Sequence, residues 1–552
     1  MFPPVHVTSP AAALLLLLVT PVLRAQPGAN VPFVPFDGVT NNASYLPGCA
    51  TNGGIAQGSL FAVFGQGIGP ATLAQVRAFP LPVSLEGVAV RVAMAGATYD
   101  AWPLYASSTQ VGAILPSRVP AGDGLLTLTY QGRPAAPVPI RVRPNAPGLF
   151  TANARGHGQA VVENVSANGE TALNAPARPL RPGQLATIWA TGLGPVSGDE
   201  AAGPRPDNQL SVETRVWVGD RLARVVYRGR SGCCAGIDQI VFETPEGIEG
   251  CQVPINFEAG GVASNFGFVA VTANGAPCAA TRRLAPVNGA NANFRFGLIL
   301  FLDGFGSVLL PEAGDDYVRL GFFQRGHVDG DVEPPLAAFE PNAEVPAGTC
   351  AVRYGTEFPP QPSQPRQSPL DAGPELRVTG PGGAYRLRPS PMNAGNYEDP
   401  ERVVLLPGRY RIDNGTGGRE LGAFSLETDA VTLRLIAPAS GARIPRHTDL
   451  TMTWNYQGPP GQLLTIFGSS RGACGRELIS FSCVARAADG RFVVPARILT
   501  LLPPSTSIFG VSNGALNIST TAPGGLRRFP APGLDLGLFL HLVISAIRPS
   551  FE

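Results

Sequence analysis

The residues in this chain that could do chemistry are carboxylates at alternate positions, a histidine between glycines, and a set of cysteines. His327–Glu333 reads HVDGDVE, so Asp329, Asp331 and Glu333 recur at every second position. Hard oxygen donors spaced this way in a loop suit a structural Ca²⁺. The full spacing of an EF-hand loop is missing, however, and a solvated acidic turn accounts for the same residues. Glu312, Asp315 and Asp316 form a weaker group of the same kind. Gly156-His157-Gly158 places an imidazole in a glycine turn, where a histidine serves the turn more often than it serves catalysis. With five histidines, no HExxH and no CxxC, a zinc site is not expected. Carboxylate pairs for glycoside hydrolysis meet only in the fold, and no pair stands out here. No catalytic residue and no organic cofactor is therefore expected.

The eight cysteines are Cys49, Cys233, Cys234, Cys251, Cys278, Cys350, Cys474 and Cys483. An even count fits disulfides made in an oxidising compartment. Cys474 and Cys483 flank two strand-like segments and are expected to bridge a hairpin. Cys251 and Cys278 are each expected to pair with one of Cys233 and Cys234. Both cross-pairings are open, and a vicinal Cys233–Cys234 bridge is disfavoured because adjacent cysteines close a cramped ring. Cys49 and Cys350 are left over.

The N-terminus supports the same compartment. Ala11–Thr20 (AAALLLLLVT) has the length of a signal-peptide core, and small Ala25 stands at a cleavage position, so residues 1–25 are expected to be removed on export. The preceding segment carries no arginine or lysine, unlike most signal peptides. No later apolar run is long enough for a transmembrane anchor. The formal net charge is +1, and all the basic residues are scattered arginines, with no lysine. Nucleic acid is thereby excluded as a partner on electrostatic grounds, and so is any lysine Schiff base.

A chain of 552 residues needs about three to four domains. It is 44% apolar and 15% charged, with 67 glycines and 56 prolines. That balance describes short buried strands joined by frequent turns, not disorder. Two stretches align: Ile55–Pro70 (IAQGSLFAVFGQGIGP) and Leu180–Pro195 (LRPGQLATIWATGLGP), at an offset of 125 residues. Gly58 meets Gly183, Leu60 meets Leu185, Val63 meets Ile188, and Phe64 meets Trp189. A second block aligns Gln110 with Gln239 at an offset of 129. Two blocks in one order indicate duplicated domains. The expected fold is all-β, with tandem immunoglobulin-like β-sandwiches at 36–145 and 146–280, a β-rich domain at 285–435 and a C-terminal sandwich at 436–552. Strand alternation predicts Leu60, Phe64, Leu185 and Trp189 in the sandwich cores. Val63 and Ile188 should lie on the opposite face, partly covered. Gln110 and Gln239 are expected to bond backbone, and core is the default for Trp102, Trp217 and Trp454.

Several of these blocks resemble a family of secreted proteins of soil acidobacteria, the Solibacter-type C-terminal domain. The residues that carry the likeness are Asn41–Tyr45 (NNASY), Gly58–Pro70, Gln110–Pro116, Ala146–Phe150 (APGLF), Gly158–Val161 (GQAV), Thr191–Pro195 and Gly232–Ile240 (GCCAGIDQI). It spans about residues 38–278, and segments such as Leu406–Tyr410 (LPGRY) and Ala531–Leu538 (APGLDLGL) are similar to stretches of such proteins. The resemblance implies a secreted β-sandwich domain and no particular activity. The function expected from all of this is a non-enzymatic cell-envelope or extracellular protein, acting by adhesion or scaffold-type binding to an extracellular glycan or protein. The rival is a carbohydrate-binding or carbohydrate-active protein that uses its sandwiches as glycan modules.

Overall fold

A computed structural model describes residues 31–46, 48, 50–204, 210–278, 294–304, 317–326, 345–355, 368–399, 403–471, 478–508 and 511–552. The chain is all-β: strands follow one another from Val39–Asn41 to Ser550–Phe551, and the helices among the described residues are single turns. Among the described residues, short Val- and Leu-rich runs broken by glycine and proline favour strands over long helices.

The first unit is a two-sheet sandwich. One sheet holds Leu60–Phe64 between Val39–Asn41 and Gln110–Ile114; the other is built around Val88–Met94, Gly122–Tyr130 and Val138–Arg143. Val88, Val90, Val92, Leu126 and Leu128 point inward and are fully buried, as their alternation predicts. The second unit has related wiring in one continuous ladder, because Arg221–Arg230 pairs with Asp238–Glu243 on one side and Thr214–Val218 on the other. Aligned positions meet aligned partners. Phe64 lies opposite Gln110 and Val63 opposite Val111; Trp189 lies opposite Gln239 and Ile188 opposite Ile240.

The inward face is the reverse of the one expected. Phe61 and Val63 lie in the first core and Ile188 in the second, all fully buried. Leu185 is 37% exposed, and Phe64 and Trp189 are only half-buried. Leu60 is buried, but between the two units rather than within one. Both faces of LFAVF are apolar, so alternation separates them without saying which one is covered by its own domain and which by the neighbour.

The C-terminal half does not divide at 435/436 into two separate β units. Leu536–Ile547 pairs in parallel with Phe294–Asp303, and Cys350–Tyr354 pairs with Leu478–Arg486, so one fourteen-stranded ladder crosses the expected boundary. Two cores flank it. One gathers Ile299, Phe301, Phe323, Leu376, Tyr410 and Phe539; the other Met452, Trp454, Ile466, Phe481 and Leu516. Phe294–Leu302 is a strand, as its composition suggests, with Phe294, Ile299 and Phe301 buried and Phe296, Leu298, Leu300 and Leu302 half-buried. Sequence separation hides such pairing, because each strand reads as local while its partner lies about 240 residues away.

Candidate functional site

A densely bonded polar cluster lies where the first two units meet. Arg221–Arg230 delivers Arg230 to its end, and Asp238–Glu243 begins with Asp238 directly opposite. Their side chains form an ion pair with Asp238 fully buried and Arg230 5% exposed. The other guanidinium nitrogen of Arg230 donates to the carbonyls of Gly58 (2.9 Å) and Gly194 (2.8 Å), one in each unit. Glu200 comes within 3.8 Å of the same nitrogen and accepts from the backbone N–H and hydroxyl of Ser117, each at 2.8 Å. Leu193 N–H donates to Asp238 at 2.8 Å. Burial, the largest influence, pushes the Asp238 carboxyl above the ordinary range, against the pull of Arg230 and the Leu193 N–H.

Glycine is required at Gly58. Its φ is +70°, and a Cβ there would run into Arg230, Ser117 and Glu200. Gly183 has φ +76° with open space around it, so only the turn demands glycine there. Beside the polar cluster, Leu60, Leu81, Trp102, Ile114 and Ala201 form an apolar patch, covered in part by Phe150, Ala235 and Ile237. Thr191 ties the two together: it accepts from Leu60 N–H at 2.9 Å and donates to Gly236 O at 2.7 Å. Further contacts join the units. Asn41 donates to Ala146 O at 2.9 Å, linking the NNASY and APGLF blocks. Asn52 donates to Ala263 O and to the Tyr354 hydroxyl, reaching the C-terminal half. Arg497 stacks over Trp217 at 4.3 Å.

A second buried cluster sits in the C-terminal half. Arg319, Phe301 and His541 are register partners across three strands, and Asp303 follows Phe301 on the same face. Asp303 pairs with Arg319 and bonds His541 Nε2 at 2.8 Å. Burial raises the Asp303 carboxyl, but the His541 hydrogen bond and the charges of His541 and Arg319 outweigh it, and the net shift is downward.

Sequence reasoning missed both clusters. Asp238 lies inside the GCCAGIDQI block, which was the available signal; Asp303 ends the apolar run GLILFLD and His541 is the lone polar residue in LGLFLHLVI. A further motif, Gly468–Gly472 (GSSRG), has the G-x-S-x-G spacing. Ser470 nevertheless lies in the strand Leu463–Arg471, fully buried and bonded to Ser505 at 3.0 Å, not on the strand-to-helix elbow a nucleophile needs.

Asp329, Asp331 and Glu333, the candidate Ca²⁺ ligands, lie outside the described residues, as do Glu312, Asp315, Asp316 and the segment 1–25. Among the described residues no group of three or more His, Cys, Asp or Glu is placed to hold a metal. His157 lines a small cleft of about 70 Å³ with Tyr45, Arg155, Arg353 and Tyr354. Gln110 bonds a side chain, the Tyr105 hydroxyl at 2.9 Å, and not the backbone. Trp102 and Trp454 are buried, while Trp217, like Trp189, is half-buried.

The disulfides correct the expected pairings. Cys251 bonds Cys278, with Cα atoms 5.7 Å apart, and Cys233 bonds Cys234 in the vicinal bridge expected to be unfavourable. The loop Ser231–Ile237 turns Cys233 and Cys234 outward, away from the other two. Cys483 bonds Cys350, not Cys474; they are direct partners across an antiparallel ladder, with Cα atoms 4.0 Å apart. The strand pairing that brings them together is long-range and invisible to a spacing argument. Cys49 and Cys474 lie outside the described residues.

No family model matches the chain, and no curated protein matches it. Among solved structures, the chain is similar to domains 4–9 of the surface layer protein SbsC, at 10% identity over 93% of this chain and 82% of that one, with a TM-score of 0.18. The all-β assignment rests on the ladders described above. Among the described residues no helix is long and apolar enough to cross a membrane.

Proposed function

We propose that this is a secreted, non-enzymatic cell-envelope or extracellular protein that acts as a stiff scaffold for adhesion-type binding. The observation that carries the reading is the buried Arg230 cluster, in which one guanidinium holds carbonyls of both leading sandwiches at once. Inter-domain contacts within a chain are ordinarily small and polar and permit relative motion. Here a buried ion pair, an apolar patch and several hydrogen bonds fix the joint, which suits a protein that must hold its binding loops at set positions. The disulfides fit an extracellular setting. The carbohydrate alternative has less behind it, since all four tryptophans are at least half-covered and offer no flat stacking strip. Small-angle scattering of the mature chain, with and without Arg230→Met, tests the proposal. A scaffold gives one narrow size distribution that broadens in the variant. An equally broad distribution for both, or hydrolysis of a polysaccharide panel by the native chain, would overturn it.

A further inference from the structure

The vicinal bridge sits on the joint itself. The loop Ser231–Ile237 leaves Arg230 and returns to Asp238, so its two ends are held by the ion pair. Its inner residues face the first sandwich: a Cβ on Gly236 would meet Ile114 at 2.8 Å, and Ala235 and Ile237 cover the patch containing Leu60 and Trp102. Its outer residues, Gly232, Cys233 and Cys234, are exposed.

The three bridges among the described residues differ in two respects that govern reduction. Cys350 and Cys483 are buried, and Cys251 and Cys278 are half-buried, whereas Cys233 and Cys234 face solvent. A thiolate must reach a sulfur to open a disulfide, so access orders their rates. A disulfide also stabilises a fold by restricting the unfolded chain, and more so for longer loops. The separations are 133, 27 and 1 residues. Joining neighbours restricts almost nothing, so the Cys233–Cys234 bond adds little to global stability and opening it forfeits little.

We propose that Cys233–Cys234 is a redox-reactive site, opened by an extracellular dithiol, that sets how firmly the first two sandwiches are joined. One thiolate of the dithiol attacks a sulfur of the bridge, breaking the S–S bond and forming a mixed disulfide. The second thiol of the reagent then displaces the bound cysteine. Two electrons and two protons pass to the protein, Cys233 and Cys234 become free thiols, and the reagent leaves as its own disulfide. The opened loop regains freedom between its clamped ends, and the Thr191–Gly236 hydrogen bond and the contact with Ile114 loosen with it. This rests on the geometry of the joint and not on the scaffold reading.

The test is graded reduction of the full mature chain with dithiothreitol, alkylation and peptide mapping, with hydrogen exchange on the same samples. Cys233 and Cys234 should be alkylated at roughly 10-fold lower reductant than Cys251, Cys278, Cys350 and Cys483, a difference of about 30 mV. At that concentration the amides of residues 231–237 and of Leu60 should exchange faster, and the double variant Cys233→Ser/Cys234→Ser should show the same exchange without reductant. Simultaneous or later opening of this bridge overturns the proposal. So does early opening with unchanged exchange at Leu60, since the bridge would then be reactive without acting on the joint.

Discussion

Arg230 and Asp238 are register partners at the ends of two antiparallel strands, and their ion pair closes the loop that covers the first sandwich. The same guanidinium bonds a carbonyl in each unit, so the pair works across an interface as well as within a sheet. Removing one partner of a buried pair leaves an uncompensated charge, which typically costs about 3–5 kcal/mol. Arg230→Met should therefore lower stability by about that amount, read from urea unfolding of the protein. A loss under about 1 kcal/mol would show that water reaches the site.

The inverted strand faces predict an unequal pair of substitutions. Ile188→Ala removes a fully buried side chain and should cost about 2–5 kcal/mol. Trp189→Ala, next along the strand but half-exposed, should cost less than the roughly 3–5 kcal/mol of a core tryptophan. Denaturation midpoints of the two variants decide the matter, and a larger loss at Trp189 would restore the opposite face as the core.

Acid should weaken the C-terminal half through Asp303. Its folded carboxyl titrates below its unfolded value of about 3.9, so its stabilising contribution is complete above that pH and is lost as pH falls through the folded value. Thermal midpoints measured between pH 6 and 2 should fall toward the acid end. Asp303→Asn should be less stable throughout, because Arg319 is left buried without its partner, and its midpoint should depend less on pH across the same range. An unchanged acid slope would assign that dependence to other carboxylates.

The two long-range disulfides among the described residues should differ in worth. In the chain-entropy model, going from a 27-residue to a 133-residue separation adds about 1.4 kcal/mol. Cys350→Ala/Cys483→Ala should therefore destabilise more than Cys251→Ala/Cys278→Ala. Unfolding both variants under non-reducing conditions measures the gap.

Strand content and local faces were legible in the sequence wherever alternation was clean. Val88, Val90 and Val92 read as one buried face and form one, and the segments around Tyr410, Leu450 and Leu463 are strands. Legibility ended where a second partner mattered. Leu60 and Val63 are both apolar, and only the neighbouring sandwich decides which faces the core. Cys483 finds Cys350 through a ladder between segments more than a hundred residues apart, so proximity in sequence favoured the wrong partner. Arg230 was unremarkable among many scattered arginines, because what distinguishes it is the pair of carbonyls brought to it by two different units.

The parallel pairing of Phe294–Asp303 with Leu536–Ile547 has a consequence for how the protein is made. A strand made early must wait for a partner encoded about 240 residues later. Meanwhile its apolar edge stands open to any passing strand, and pairings this distant in sequence form slowly. The C-terminal sheet can close only once Leu536–Ile547 has been made. A chain cut short before Leu536 would lose the centre of that sheet and leave its two halves unjoined.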